Sequence, residues 1–117
     1  MTHKDYKLAA VVFTDIVGFS KMMETDEKGT LVFLEYHNDL IRNLADEHRG
    51  RVIKTIGDAF LMDFPTALDA VSCAVAIQTG MRQYNISNSR SVALRIGVHL
   101  GDIYFYENDA LGEGINI

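Results

Sequence analysis

Residues 8–14 read LAAVVFT and give the first indication of the fold. The run is short, continuous and rich in β-branched and aromatic side chains, which is typical of a strand buried on both faces of a sheet. Asp15 follows directly, and residues 16–23 predict a short helix with Gly18 near its start. The pattern therefore predicts a carboxylate beside the N–H groups that a helix leaves free at its N-terminus.

The next 40 residues predict a helix and a hairpin. Residues 25–48 form the helix, with Thr25 as its N-cap and Gly50 as its stop signal. Apolar side chains recur on one face of that helix, at Leu31, Leu34, Ile41 and Leu44. Residues 51–54 and 59–64 predict two strands joined by a tight turn over residues 55–58.

The last third of the chain predicts a second long helix and another strand pair. The helix begins at Pro65 and ends near Arg82. Its predicted buried stripe is Ala67, Ala70, Val71, Ala74, Val75 and Met81. Residues 84–91 predict a loop, 92–98 and 102–106 a strand pair around His99-Leu100-Gly101, and 107–114 a further loop.

The predicted order is β-α-α-β-β-α-β-β, which indicates an α+β domain with a mainly antiparallel sheet covered by helices. The 117 residues suit one domain, and no linker or internal repeat divides them. Residues 115–117 read as the start of another element. We therefore expect a single domain over residues 1–117 whose C-terminal part is missing.

Composition limits the classes of function. The formal net charge is −5 and no basic stripe occurs, which argues against a nucleic-acid surface. No apolar run approaches the roughly 20 residues of a membrane span, so we expect no membrane insertion by this segment. Cys73 is the single cysteine and suits a buried, unreactive thiol in a reducing compartment. These features predict a cytoplasmic domain, with an anchor elsewhere in a longer protein left open.

Two aspartates are the candidate metal ligands. Asp15 ends the first strand and Asp58 lies in the hairpin turn, so adjacent strands could bring their carboxylates together. Paired carboxylates of this kind form a hard oxygen site for Mg²⁺ or Mn²⁺. From the spacing alone the simpler alternative remains open, since aspartates at strand ends often only cap turns. The four histidines lack the spacing of a metal cluster, and we expect them to have structural roles.

Four motifs in sequence order carry a resemblance. Residues 13–20, FTDIVGFS, and 52–60, VIKTIGDAF, resemble the two metal-binding signatures of the class III adenylyl and guanylyl cyclases. Residues 95–101, RIGVHLG, are similar to the strand and turn that follow in that family. Residues 109–116, DALGEGIN, resemble the segment with the adenine reader and the transition-state asparagine.

The resemblance implies a nucleotide cyclase fold, with a ferredoxin-like or palm-like sheet, and a function for individual residues. Asp15, Asp58 and the Ile16 carbonyl would bind two divalent metal ions, with metal-bound phosphates resting on Val17, Gly18 and Phe19. Two further sets complete the implied site: Lys54 and Asp109 as readers of adenine, and Asn116 for the ribose. The implied reaction turns ATP into 3′,5′-cyclic AMP and diphosphate.

Base choice follows from hydrogen-bond chemistry once that resemblance is accepted. Adenine offers an N6 donor and an N1 acceptor, which an aspartate and a lysine can match. Without the resemblance, Lys54 could be a solvated strand residue and Asp109 a turn former. The family shares its sites between two wrapped domains, and this chain carries both residue sets, which implies a head-to-tail homodimer.

Two departures from the family pattern qualify the expectation. The family's transition-state arginine lies four residues after the asparagine, beyond Ile117, so we expect the 117 residues alone to be inactive. Asp102 stands where many relatives have a basic phosphate contact.

Alternative functions are a catalytically silent nucleotide-binding or dimerisation module and a guanylyl cyclase. A diguanylate cyclase would need a Gly-Gly-Asp/Glu-Glu-Phe hairpin, which residues 56–60 lack. No Ser/His/Asp or Cys/His constellation indicates an acyl-transfer hydrolase.

Overall fold

A five-stranded antiparallel sheet forms the centre of the computed structural model, in the order β2-β3-β1-β4-β5. The structure describes the backbone of residues 4–106 and 109–111, and the side chains of residues 10–101. In chain order the elements are β1 Lys4–Ile16, α1 Phe19–Thr25, α2 Glu27–Glu47, β2 Arg51–Ile56, β3 Ala59–Phe64, α3 Ala67–Asn88, β4 Leu94–Tyr106 and β5 Asp109–Leu111.

Strand β1 lies between β3 and β4 and sets the register of the sheet. Residues 10–14 pair with β3, so that Thr14 is opposite Phe60. All 13 residues of β1 pair with β4, from Lys4 opposite Tyr106 to Ile16 opposite Leu94. This order and the antiparallel pairing confirm the predicted α+β architecture.

Helices α2 and α3 pack on one face of the sheet and enclose the core. Alternate residues of a strand point to opposite faces, so Ala10, Val12 and Ile16 enter this core while Asp15 points away from it. The other buried members of the core cluster are Phe33, Ile41, Ala45, Phe60, Met62, Phe64, Ala70, Cys73, Ile77, Met81 and Leu94. Because the helices occupy one face, the carboxylate-bearing face of β1 remains outside this core.

Cys73 lies in this core, as the sequence predicts. Burial, aided by the charge of Glu47, raises the pKa of its thiol to about 11. A thiol with so high a pKa stays protonated near neutral pH and is a poor nucleophile.

Helix α2 differs from its prediction at its cap and on its buried face. The cap is Asp26 and not Thr25, because the Asp26 carboxylate accepts from the Gly29 amide. The fully buried side chains are Thr30, Phe33, His37, Ile41 and Ala45. Leu31 is 49% exposed, so its prediction as a core residue is wrong, whereas Leu34 and Leu44 pack at the core margin. Polar Thr30 and His37 concealed the true face in the sequence.

The end of α2 is a left-handed cap built without glycine. Arg49 adopts φ 62°, and the Gly50 amide donates to the Ala45 carbonyl at 2.7 Å. Gly50 is needed for space, since a Cβ there would overlap the ring of Phe64. The predicted end of the helix at Gly50 is therefore correct in position, although the residue with the left-handed backbone is Arg49.

Helix α3 is longer than predicted and buries a different stripe. It continues to Asn88, six residues past Arg82, because Tyr84 packs on Phe33 and Tyr36 of α2. Its buried side chains are Ala70, Cys73, Ile77 and Met81. Of the predicted stripe, Ala67, Val71 and Val75 are exposed instead.

The C-terminal strand pair is also corrected. Residues 94–106 form one continuous strand, and the predicted turn at His99-Leu100-Gly101 lies inside it. Pairing with β1 explains this, because Ala9 to Val11 supply ladder partners for residues 99–101. Residues 109–111, predicted as loop, form β5 against the end of β4.

Candidate active site

Asp15 lies near the end of β1, on the face of the sheet away from the helices. Arg95 is directly opposite it on β4. The guanidinium donates from Nε to Oδ1 at 2.8 Å and from Nη2 to Oδ2 at 2.9 Å. This forked pair raises the pKa of Arg95, with Asp58 adding a weaker effect in the same direction. A cation thus already occupies the Asp15 side of the site.

Asp58 reaches the same end of β1 from the β2–β3 turn. Gly57 and Asp58 form a two-residue connection, in which Gly57 takes φ 60°. The Asp58 Oδ2 atom accepts from the Ile16 amide at 2.7 Å. Ile16 directly follows Asp15, so this hydrogen bond fixes Asp58 beside the first carboxylate. The two aspartates that the sequence predicted as partners, 43 positions apart, therefore lie at the same end of β1.

The turn after β1 completes this part of the site. Ile16 belongs to the strand and not to the predicted helix, and α1 begins at Phe19. Gly18 takes φ 70° and leads the chain into α1. Because the first amide hydrogen bond of the helix runs from Met22 to the Gly18 carbonyl, the preceding amides have no intrahelical acceptor. These amides lie at the same end of β1 as Asp15, and among them the Val17 amide already donates to the Ala93 carbonyl at 2.9 Å.

Lys54 lies on β2, four residues before Asp58, and is opposite Leu61 next to a register shift in the ladder. Its side chain is half-buried. Asp109 begins β5, which approaches β2 although the two strands are at opposite edges of the sheet order. The side chains of Asp109 and Asp102, and all of Asn116, lie outside the described residues.

The charges and geometry at Asp15 and Asp58 fit a divalent cation. Each supplies carboxylate oxygens, the donors that Mg²⁺ and Mn²⁺ prefer. Arg95 already acts there as a positive partner for Asp15. Among the side chains of residues 10–101, no group of three or more His, Cys, Asp and Glu residues is close enough to hold a metal. The candidate centre is therefore a two-carboxylate site that would rely on backbone, water or substrate oxygens for further ligands.

Sequence reasoning missed the Arg95 side chain at this centre and gave His37 only a structural role. Arg95 belongs to the RIGVHLG motif but was given no function of its own; the signal is its position opposite Asp15, which needs the β1–β4 register. His37 is completely buried on α2, with its ring 5.8 Å from those of Phe33 and Phe60. Its Nδ1 atom contacts the Asn38 Oδ1 at 2.8 Å, while Nε2 is buried without a hydrogen-bond partner.

Comparison with known proteins identifies the family. The family model of the adenylate and guanylate cyclase catalytic domain matches residues 1–106 of the sequence. The chain belongs to this cyclase family. A Rhizobium meliloti relative named "Putative adenylate cyclase 3" is 40% identical over 114 residues, which are 95% of this chain and 19% of that protein.

Solved cyclases share the fold. An adenylate/guanylate cyclase/hydrolase from Silicibacter pomeroyi superposes with a TM-score of 0.86 at 32% identity, covering 97% of this chain and 67% of the other. The adenylyl cyclase CyaB from P. aeruginosa gives a TM-score of 0.81 at 20% identity over 97% of this chain and 69% of its own. The cyclase chain thus spans about two thirds of these solved domains and a fifth of the Rhizobium protein.

Membership in the cyclase family agrees with the resemblance drawn from the four motifs. It links the chain to cyclic nucleotide synthesis as a family activity, without selecting the base. Among the helices of the described part of the chain, none combines the length and apolar character that a bilayer span requires.

Proposed function

We propose that the domain to which this chain belongs is an adenylate cyclase that converts ATP to 3′,5′-cyclic AMP and diphosphate. The observation that carries the proposal is the hydrogen bond from the Ile16 amide to Asp58, at 2.7 Å. It holds Asp58 against the residue that follows Asp15, at one end of the sheet, next to the Gly18 turn and the start of α1. A purely structural turn-capping aspartate would have no need of a second carboxylate there.

In the proposed reaction the ribose 3′-oxygen forms a bond to the α-phosphorus, and the bond from that phosphorus to the diphosphate oxygen breaks. The hydroxyl proton passes to solvent. Asp15, Asp58 and the Ile16 carbonyl would hold two divalent ions. Bound Mg²⁺ or Mn²⁺ would supply activation of the hydroxyl and neutralisation of charge on the phosphates. The amides of Gly18 and Phe19 would donate hydrogen bonds to phosphate oxygens, whereas the Val17 amide already donates to the Ala93 carbonyl at 2.9 Å.

Adenine selection is assigned to Lys54 and Asp109, as a donor to N1 and an acceptor from N6. The approach of β5 to β2 supports the assignment, because it brings the two strands that carry these residues near each other. Asn116 would orient the ribose. A rhodopsin-guanylyl cyclase with converted specificity, solved in complex with ATPαS, shares the fold at a TM-score of 0.75. Base choice in this fold can therefore change, which makes it a quantity to measure.

We further propose a head-to-tail homodimer in the cytoplasm, where each site takes its metal-binding aspartates from one copy and Lys54, Asp109 and Asn116 from the other. Two equivalent sites follow from the two-fold symmetry of such a dimer. The single chain carries both the metal-binding aspartates and the residues that would bind the base and ribose. This supports a homodimer with two identical sites over a pair of different domains that form one active site.

The test is cyclic nucleotide production by the full-length protein with ATP or GTP and Mn²⁺. We expect cyclic AMP from ATP, and a loss of at least about 10²-fold in Asp58→Ala, as for other groups that stabilise transition-state charge. Lys54→Ala should lose most of the activity with ATP while keeping the fold. Preferential cyclic GMP formation would identify a guanylyl cyclase. No product from either nucleotide, in a folded dimer, would favour the silent regulatory module.

A further inference from the structure

The forked contact between Arg95 and Asp15 occupies both oxygens of a candidate metal ligand. The two donor–acceptor distances are 2.8 and 2.9 Å, which is the geometry of a strong, oriented ion pair. The Asp15 side chain is 22% exposed and the Arg95 side chain is 70% exposed. Arg95 is therefore the more exposed partner of the pair.

A divalent ion bound by Asp15 needs the same oxygens and meets the same positive charge. We propose that Arg95 is the internal counterion of the metal site, holding Asp15 when no ion is bound and yielding it when one arrives. Arg95 thereby sets the concentration of divalent ion that the site requires. The inference rests on the proposed function, because it takes Asp15 as a ligand of the metal in that site.

The contacts around Asp15 allow a metal ion to replace Arg95 at this carboxylate. Asp58 is held by the Ile16 backbone amide, which does not depend on Arg95. One exposed side chain can therefore leave while the second carboxylate stays in place. Because the Arg95 side chain is 70% exposed, water can solvate the guanidinium when it leaves Asp15. In the ion-free protein, the guanidinium also offsets repulsion between two adjacent carboxylates.

The test is Mn²⁺ affinity of the full-length protein without nucleotide, measured by electron paramagnetic resonance of the free ion. Removing the charge in Arg95→Gln should tighten binding about 3- to 10-fold, the scale of one unit charge near a divalent ion in a solvated site. Arg95→Lys keeps the charge but loses the fork, so its affinity should fall between the two. The difference should shrink in roughly 1 M KCl, where screening is nearly complete.

The matched control is Arg51→Gln. Arg51 also pairs with an aspartate of the sheet, Nε to the Asp63 Oδ1 at 3.1 Å, but on β2 and β3 away from Asp15. Its loss should leave Mn²⁺ affinity unchanged. Circular dichroism shows whether each variant is folded, and Arg95→Lys provides the answer if Arg95→Gln does not fold.

Unchanged or weaker Mn²⁺ binding in the folded Arg95 variants overturns the inference, since Arg95 would then support the ligand and not compete with the ion. Absence of Mn²⁺ binding in every variant overturns it as well. Activity is scored separately. If Mn²⁺ binds more tightly to the Arg95 variants but no cyclic nucleotide forms, the role of Arg95 as counterion is supported and the proposed reaction is contradicted. If cyclic AMP forms but the Mn²⁺ affinities are unchanged, the proposed reaction is supported and the role of Arg95 is contradicted.

Discussion

At the scale of single residues, Asp58 has two separable functions. Its Oδ2 atom satisfies the Ile16 amide, and its charge contributes to the candidate metal site. Asp58→Asn keeps an oxygen acceptor for the amide and removes the charge, whereas Asp58→Ala removes both. We expect both variants to lose Mn²⁺ binding, but Asp58→Ala to be less stable than Asp58→Asn by about 1 kcal/mol, the net value of one such hydrogen bond.

Urea denaturation without metal measures this difference in the free energy of unfolding. Asp26→Asn is a suitable control, because it keeps the helix cap to Gly29 and lies outside the metal site. Equal stability of the two Asp58 variants would show that the amide bond does not hold the turn against β1.

The residue scale also shows where sequence reasoning reaches its limit. Asp15 and Asp58 were found because each carries a motif of its own. Arg95 lies 80 positions from Asp15, and only the β1–β4 register brings the two together. A local motif specifies which residue types are present, whereas a contact across two strands depends on how the whole sheet pairs.

At the scale of elements, His37 joins helix α2 to strand β3. Its ring packs against Phe33 on the helix and Phe60 on the strand, in the core. Burial lowers the pKa of His37 below its usual 6.5, against weaker opposing effects of the Asn38 contact and the Asp58 charge. The folded protein therefore keeps His37 neutral at a pH where the unfolded chain binds a proton.

The sign of the pH effect follows from this difference. Well above pH 6.5 neither state is protonated at His37, and its stability contribution is constant. As the pH falls below 6.5, the unfolded chain gains a proton and the folded state is penalised, by at most about 1.4 kcal/mol per pH unit. The penalty stops growing once the pH passes the folded pKa.

His37→Phe should remove this component. We expect the free energy of unfolding of the original protein, minus that of the variant, to decrease between pH 7.5 and 5.5 in urea titrations. Taking the difference cancels groups common to both proteins, and His37→Leu repeats the test with a smaller side chain. A difference that is flat with pH would mean that His37 is protonated equally in both states.

Element boundaries departed from the sequence prediction wherever a partner element decided them. The polar end of α3 is helical because Tyr84 stacks on Tyr36, with ring centroids 4.6 Å apart. Residues 99–101 remain in β4 because β1 pairs along their whole length. Local glycine and polar signals suggested turns at both places, and tertiary contacts overrode them.

At the scale of the whole molecule, the family and the order of the elements were predictable, because the motifs and hydrophobic runs are local. The arrangement of the residues in the site was less predictable from the sequence. The approach of β5 to β2 arises from the course of the sheet as a whole, and nothing in either segment indicates it. The proposed dimer is likewise not predictable from local sequence patterns, because it depends on which set of site residues each chain contributes to the site of its partner.

A shared site predicts that two variants, each inactive by itself, restore activity when they form one dimer. In a head-to-tail heterodimer of Asp58→Asn with Lys54→Ala, both changes fall in the same site, which takes its aspartates from the first copy and its Lys54 from the second. The other site is intact. Each variant should be nearly inactive by itself. Mixed after unfolding and refolding together, half of the dimers should be heterodimers with one intact site out of two. Activity should then recover to about a quarter of the original value.

The control mixes Asp15→Asn with Asp58→Asn. Both changes lie in the metal-binding half, so every site of that heterodimer lacks one aspartate and no activity should return. Recovery in the first mixture and not in the second requires that Asp58 and Lys54 act across the subunit boundary. Failure of both mixtures, with dimers confirmed by light scattering, would mean that each chain builds its site from its own residues, and the head-to-tail arrangement would have to be abandoned.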